Sequence, residues 1–282
     1  MTQQNISKLD RPEILAAIFH PRKERGTCAV PDSQDLDIEV GDPGLVLGCR
    51  FYGSNPDGAN ILYFHGNGET VGDYDYVAPL YLAEGLNLMV ASYRGYGWSS
   101  GEPSVSALLD DCSVVFDRFN YFCEEHNLSG DRFVMGRSLG SVSSIELAHR
   151  FPDMVKGLII DSGFAYTLPL AARLGYDVSA GGLTEEECFN NLGKIMEIEL
   201  PTLILHGAED QLIPLHEAVK LQAESAAKTK QLFIVPGADH NSLISLGGDY
   251  YFETIRKFTD TVSGKNTWRQ RRKNFKRTER GL

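Results

Sequence analysis

The stretch that determines the fold is residues 133–141, FVMGRSLGS. A short hydrophobic run, expected to be a strand, leads directly into the pattern Gly-x-Ser-x-Gly, and a predicted helix follows to Arg150. This context is typical of a nucleophile elbow, a strained turn that lifts a serine hydroxyl above the end of a sheet. Gly136 and Gly140 suit so tight a turn, because a side chain at either position would clash. The stretch therefore predicts that Ser138 is a nucleophile.

The same pattern occurs a second time, at residues 97–101, GWSSG. Here the preceding strand is expected to end near Ser92, four residues separate it from the motif, and Pro103 favours a helix that begins only afterwards. Without a direct passage from strand to helix, the pattern indicates a turn. We therefore predict that Ser99 lies in a loop and is not the nucleophile.

A loop that could form an oxyanion hole beside the nucleophile is indicated at residues 62–69, LYFHGNGE, where another predicted strand ends in His-Gly. The small residues that follow allow backbone N–H groups to face Ser138. The N–H groups of Asn67 and Leu139 would together form a two-donor oxyanion hole. We interpret His65 as a structural residue that holds this loop.

The candidate base lies in residues 235–242, VPGADHNS, after the last predicted strand. A loop histidine at this position, His240, can approach Ser138 from the neighbouring part of the sheet edge. Asp239 precedes it directly, and side chains adjacent in sequence rarely make the required contact with the ring Nδ1. An acid from another loop is therefore expected to orient His240.

The candidate acids follow earlier strands. Residues 201–214, PTLILHGAEDQLIP, place Glu209 and Asp210 after a strand that again ends in His-Gly. Asp210 is the preferred partner, because the turn after this strand adjoins the one that bears His240, and His240 then completes the chain order Ser…Asp…His. Glu209 remains an alternative, as does Asp161 after the preceding strand.

Around these motifs, short hydrophobic runs alternate with amphipathic stretches, which is the pattern of a mostly parallel sheet covered by helices. Eight runs read as strands: 36–40, 45–52, 60–64, 86–92, 132–135, 156–160, 202–205 and 231–235. Five stretches read as helices: 73–83, 104–119, 139–150, 215–226 and 248–262. The turn Gly-Asp-Pro-Gly at residues 41–44 predicts an antiparallel hairpin between the first two strands.

Composition excludes several other classes of protein. The chain has 282 residues and a formal net charge of −11, so its body should repel nucleic acid and anionic membranes. Five widely spaced cysteines without a C-x-x-C pair argue against a disulfide framework or a zinc site, and no cofactor or metal is expected. The first residues lack the apolar core of a signal peptide, and no apolar run is long enough to span a membrane. We therefore expect a cytoplasmic protein without an obligate protein partner.

The last residues of the sequence differ from the rest in charge. From residue 265 onward there are eight basic residues and one acidic residue, a net charge of +7, which leaves −18 for the remainder. Such a tail is expected to be solvated and disordered. The alternative is that Trp268 and Phe275, interleaved with the basic residues, contact RNA or anionic lipid.

Five motifs together resemble the α/β-hydrolase superfamily, and within it the Bem-type, small-cap branch near the proline-iminopeptidase-like serine peptidases. They are residues 65–68 HGNG, 93–97 YRGYG, 136–140 GRSLG, 206–210 HGAED and 239–241 DHN. The resemblance extends over roughly residues 45–262. It implies an α/β-hydrolase fold: an eight-stranded, mostly parallel sheet flanked by helices, with a small cap between the sixth and seventh strands. It also implies Ser138, Asp210 and His240 as the catalytic triad.

This resemblance gives the expected organisation of the chain. We expect an N-terminal extension over residues 1–35, an α/β-hydrolase domain over 36–263 with a cap insertion at about 164–198, and the basic tail over 264–282. The N-terminal cysteine cluster that membrane-associated depalmitoylases of this branch carry is absent here.

The expected activity is hydrolysis of an acyl ester or thioester through an acyl-enzyme intermediate, with a small-molecule acyl substrate. Six apolar or aromatic cap residues form either an acyl pocket or the packing of the cap on the core: Phe164, Tyr166, Leu168, Leu170, Leu174 and Tyr176. An alternative is an aminopeptidase or amidase in which residues 185–187, three glutamates, bind a free amine. A further alternative is a non-catalytic scaffold on a hydrolase fold.

Overall fold

The computed structural model describes residues 8–24, 26, 28–41, 43–176 and 182–265 of the chain. The basic tail, apart from its first two residues, lies outside this part, and so do Trp268 and Phe275. Eight strands are described: β1 Ser33–Glu39, β2 Val46–Tyr52, β3 Asn60–Phe64, β4 Asn87–Ala91, β5 Arg132–Arg137, β6 Gly157–Asp161, β7 Thr202–Gly207 and β8 Lys230–Val235.

Helices alternate with these strands. The α-helices described are α1 Pro12–Ile18, α2 Ala78–Ala83, α3 Val105–Glu125, α4 Gly140–Arg150, α5 Thr167–Arg173, α6 Asn191–Ile195, α7 Leu215–Glu224 and α8 Leu243–Val262. Two 3₁₀ turns accompany them, Val71–Tyr76 and Glu185–Glu187.

All eight strands form one sheet, in the order β1-β2-β4-β3-β5-β6-β7-β8. The predicted hairpin is confirmed, since β1 and β2 are antiparallel, and β2 is also antiparallel to β4. Every pairing from β4 to β8 is parallel. The expected eight-stranded, mostly parallel sheet is therefore present.

The sheet is covered on both faces, which explains why its central strands are hydrophobic throughout. Successive side chains of β3 point to opposite faces. Leu62 and Phe64 belong to one hydrophobic core, and Ile61 and Tyr63 belong to the other.

Three predicted helices differ from the observed ones. The stretch 73–83 is divided into a 3₁₀ turn and α2, because Pro79 in the first turn of α2 lacks an N–H and clashes with a continuing helix. Helix α3 continues beyond the predicted residue 119, since Phe122 and Cys123 extend its buried face. Helix α8 begins before Gly248 and is kinked there, at a φ of 49° that glycine adopts without strain.

The small cap lies between β6 and β7, as expected, and contains α5, the second 3₁₀ turn and α6. Residues 177–181 within it are outside the described part. The N-terminal residues from 8 onward also pack on the domain, because Leu9, Ile14, Ile18 and Phe19 are buried in the same core as the cap. The domain boundaries remain predictions. None of the described helices has the length and apolar character needed to cross a membrane.

Candidate active site

The turn after β5 has the geometry of a nucleophile elbow. Ser138 has a φ of 52°, which is uncommon for a residue with a side chain, and its backbone N–H donates to the Asp161 carbonyl at 2.8 Å. A Cβ added at Gly136 would lie 2.1 Å from the Gly140 carbonyl oxygen. A Cβ at Gly140 would lie 2.1 Å from the Phe64 carbonyl oxygen. The predicted need for glycine at both positions is therefore confirmed.

The fold brings Ser138, His240 and Asp210 together. The His240 Nε2 is 3.0 Å from the Ser138 Oγ, and its Nδ1 is 2.7 Å from the Asp210 Oδ2. The other Asp210 oxygen accepts the backbone N–H groups of Leu212 and Ile213 at 3.0 and 2.8 Å. All three side chains are buried. Because a carboxylate only accepts, Nδ1 carries the proton, and Nε2 is left to accept the serine proton.

The competing acids are occupied elsewhere. The Asp161 carboxylate accepts the Tyr251 hydroxyl at 2.6 Å and the Ser162 hydroxyl at 3.0 Å, and burial raises its pKa. Glu209 is exposed, and in the described part of the chain its carboxylate has no hydrogen bond to His240. Asp239 is exposed and accepts the Ser242 backbone N–H at 2.8 Å. Only Asp210 contacts the imidazole among these acids.

The predicted donors lie in two places: Asn67 in the loop after β3, and Leu139 directly after Ser138. Within the described residues, neither the backbone N–H of Asn67 nor that of Leu139 has a protein acceptor. Both residues line a pocket next to Ser138. His65 is fully buried behind this loop, where Nδ1 donates to the Gly66 carbonyl at 2.8 Å and Nε2 accepts from Ser92 at 3.0 Å. Burial lowers the pKa of His65, so the ring stays neutral and holds the loop.

Arg137, which the sequence did not single out, connects the loops of the site. Its guanidinium forms an ion pair with Glu69 and donates to the His240 carbonyl at 2.6 Å. The other Glu69 oxygen accepts the Gly66 backbone N–H and the Tyr74 hydroxyl, both at 2.7 Å. Burial lowers the pKa of Arg137, but the nearby carboxylates outweigh it and raise the pKa overall.

The pocket beside Ser138 is apolar and has an empty volume of about 470 Å³, which includes space open to solvent. Among the described residues, no charged side chain lines it. Its walls are Ile18, Asn67, Ser138, Leu139, Phe164, Thr167, Leu170, Ala171, Leu174, Phe189 and Leu212. Of the six cap residues named from the sequence, three line this pocket and three, Tyr166, Leu168 and Tyr176, pack against the core. Both interpretations therefore apply, and Phe164 and Leu170 fit both, since they line the pocket and also pack with the core.

The second serine motif is a loop, as predicted. The Ser99 side chain is buried and accepts the backbone N–H of Gly48 at 2.9 Å. No helix begins until Val105. Ser99 therefore secures the loop to β2.

Two of the three cap glutamates, Glu185 and Glu187, make contacts that stabilise the cap. The Glu185 carboxylate accepts the backbone N–H groups of Thr167 and Leu168 at 2.8 and 2.9 Å, at the start of α5. Glu187 pairs with Lys8 and accepts the Thr184 N–H. Elsewhere, the described residues contain no group of three or more histidines, cysteines, aspartates or glutamates placed to hold a metal ion.

Comparisons with known proteins agree with this fold. The family described as serine aminopeptidase, S33, matches residues 55–178. The chain is 29% identical over 204 residues to protein bem46 of Schizosaccharomyces pombe, which covers 70% of this chain and 66% of that protein. It is 28% identical over 245 residues to the α/β-hydrolase domain-containing protein WAV2 of Arabidopsis thaliana, which covers 80% and 78%.

The solved structures show the same architecture. The esterase Pf2001 of Pyrococcus furiosus superposes with a TM-score of 0.70 at 17% identity, over 86% of this chain and 98% of that one. A soluble variant of the monoglyceride lipase of Saccharomyces cerevisiae superposes with a TM-score of 0.66 at 16% identity, over 85% and 99%. At such low identity these likenesses show the fold alone.

The sheet, the elbow and these comparisons agree on the architecture: the chain has the α/β-hydrolase fold. Among proteins compared by sequence, it is similar to bem46 and WAV2.

Proposed function

We propose that this α/β hydrolase cleaves acyl esters or thioesters with Ser138 as nucleophile, His240 as base and Asp210 as the acid that orients the base. The observation that carries the proposal is the chain of contacts from Ser138 Oγ to His240 Nε2 at 3.0 Å and from His240 Nδ1 to Asp210 at 2.7 Å. A nucleophile bonded to a base, which is in turn oriented by a third group, is the arrangement that nucleophilic catalysis requires.

The reaction then follows from these positions. His240 removes the Ser138 proton as the serine oxygen attacks the acyl carbonyl, and the imidazolium is stabilised by Asp210. The N–H groups of Asn67 and Leu139 bind the oxyanion of the tetrahedral intermediate. His240 returns its proton to the departing alcohol or thiol, which leaves an acyl group on Ser138. Water, deprotonated by the same histidine, releases the acid.

The pocket favours an uncharged acyl group. An apolar chain gains free energy when it leaves water for such a pocket, whereas an ammonium group would lose its hydration and find no charged partner among the described lining residues. The names of two structural neighbours, an esterase and a monoglyceride lipase, are consistent with this substrate class.

The aminopeptidase alternative has less support from the site. The matching family is described as a serine aminopeptidase, but the glutamates expected to bind an amine are either engaged in other contacts or exposed. Glu185 holds the start of α5, and Glu187 pairs with Lys8. Glu186 is exposed. If Glu186→Gln lowered kcat/KM for an aminoacyl amide without changing that for an ester, this alternative would regain its basis.

The decisive experiment is labelling with a fluorophosphonate, which reacts only with an activated serine. We expect the wild type to be labelled, Ser138→Ala to be unlabelled, and Ser99→Ala to react like the wild type. Labelling that survives in Ser138→Ala, or a folded wild type that never reacts, would contradict the proposal. Turnover of p-nitrophenyl esters and of the corresponding acyl thioesters then distinguishes between the two substrates.

A further inference from the structure

The N-terminal segment, residues 8–24, lies outside the family match at 55–178, yet it is part of the active-site region. Helix α1 packs against the cap helix α5. Lys8 forms an ion pair with Glu187 of the cap. The segment and the cap are therefore joined on the side of the molecule where Ser138 lies.

The end of α1 is fixed to the loop that carries a proposed oxyanion donor. The Asn67 side chain donates from Nδ2 to the Ile18 carbonyl at 2.6 Å and to the His20 Nδ1 at 2.9 Å. Its Oδ1 accepts the His20 backbone N–H at 2.9 Å and the Tyr96 hydroxyl at 2.6 Å. All four hydrogen-bonding positions of this amide are used, so the segment is held at a defined distance from the loop.

The Ile18 side chain, 6% exposed, is the contribution of this segment to the apolar pocket beside Ser138. The remaining apolar walls come mainly from the cap, among them Leu170 and Leu174 of α5. The Ile18 carbonyl accepts from the Asn67 side chain, and the residue lines the same pocket as Asn67 and Leu139, the two proposed oxyanion donors. An acyl chain bound with its carbonyl there would pass between the segment and the cap.

We propose that the N-terminal segment is the second wall of the acyl pocket, and that Ile18 determines which acyl groups the enzyme accepts. The proposal rests on the function proposed above and adds a residue that selects the substrate. One methylene more or less in a hydrophobic pocket changes kcat/KM by about 10-fold or more. A change of size at Ile18 should therefore alter the preference between acyl chains rather than the chemistry.

The same helix supplies a matched control. Ile14 is also an isoleucine of α1, one turn earlier, and is 2% exposed, but it does not line the pocket. Ile14→Ala removes the same atoms from the same helix. It should therefore reproduce any loss of stability caused by Ile18→Ala without widening the pocket.

The experiment compares kcat/KM for p-nitrophenyl butyrate and laurate in the wild type, Ile18→Ala, Ile18→Phe and Ile14→Ala. We expect the laurate-to-butyrate ratio to rise about 10-fold in Ile18→Ala, to fall about 10-fold in Ile18→Phe, and to stay within about 2-fold in Ile14→Ala. Equal ratios in all four proteins would overturn the proposal. So would a shift in Ile14→Ala as large as that in Ile18→Ala, because the effect would then come from the packing of α1.

A second measurement separates this inference from the proposed reaction. Laurate binding, followed by titration calorimetry, does not require turnover. Suppose that the wild type neither hydrolyses esters nor reacts with the fluorophosphonate, but that Ile18→Ala and Ile18→Phe bind laurate with different affinities. The proposed reaction is then wrong, and the proposal that Ile18 forms a wall of the pocket stands. If laurate affinity is the same in both variants, the wall is also refuted.

Discussion

Replacing Arg137 by methionine tests whether this side chain holds the site together. The substitution keeps much of the aliphatic volume but removes the ion pair with Glu69 and the hydrogen bond to the His240 carbonyl. The Arg137 side chain is 9% exposed and that of Glu69 is 24% exposed, so the pair is largely shielded from water. The variant therefore leaves the Glu69 carboxylate and the His240 carbonyl oxygen without the charged hydrogen-bond donor that Arg137 supplies.

The expected loss of stability follows from these contacts. Removing one partner of a buried ion pair costs about 3–5 kcal/mol, and the lower end applies because Glu69 keeps the Gly66 N–H and the Tyr74 hydroxyl. The unpaired His240 carbonyl adds roughly 1 kcal/mol. We therefore expect the free energy of unfolding to fall by about 4 kcal/mol, measured by urea denaturation.

Activity should fall as well, because the backbone of the proposed base is no longer held. A displacement of the base by about 1 Å would lower kcat about 100-fold. The pocket does not include Arg137, so KM should change little. Arg137→Lys keeps the positive charge but lacks the planar guanidinium that reaches both partners. Its stability and its kcat should therefore lie between those of the wild type and of Arg137→Met.

Arg118→Met is the control, since Arg118 pairs with Glu125 at the surface, where both side chains are more than a third exposed. Such pairs contribute about 0–1 kcal/mol. A double-mutant cycle of the free energy of unfolding, with Arg137→Met and Glu69→Gln alone and together, would show whether Arg137 and Glu69 are energetically coupled. If Arg137→Met unfolds at the same urea concentration as Arg118→Met and retains its kcat, the reasoning is refuted.

Three further outcomes are expected. Gly136→Ala should lower the free energy of unfolding by about 3 kcal/mol or more, because its Cβ would lie 2.1 Å from the Gly140 carbonyl oxygen; a Tm like that of the wild type would contradict this. Asn67→Ala keeps the backbone N–H but loses the contacts to α1, so kcat/KM should fall about 10-fold, and unchanged kinetics would count against a role for those contacts. Burial lowers the pKa of His65 and of His206. The unfolded chain then binds protons that the folded protein excludes, so the free energy of unfolding should decrease as the pH falls below about 6.5, with a smaller slope in His206→Gln.

The sequence alone determined the features that depend on neighbouring residues. The passage from strand to glycine-flanked serine to helix predicted an elbow at Ser138 and a loop at Ser99, as the structure has them, because a nucleophile elbow is a local conformation of a few residues. The hairpin before β2 followed from its turn residues for the same reason. The position of Asp210, after the strand next to the one that bears His240, was enough to prefer it to Asp161, and the geometry agrees with that preference.

Only the tertiary structure showed what holds the site in place. Arg137 reaches the His240 carbonyl across 103 positions of the sequence, and the Asn67 side chain reaches Ile18 across 49. Ile18 lines the pocket only because α1 packs against the cap. Nothing in the neighbouring residues indicates these partners, since an arginine, an asparagine and an isoleucine are common in any helix or loop. Their roles arise from the parallel sheet, which brings the ends of β3, β5, β7 and β8 to one edge.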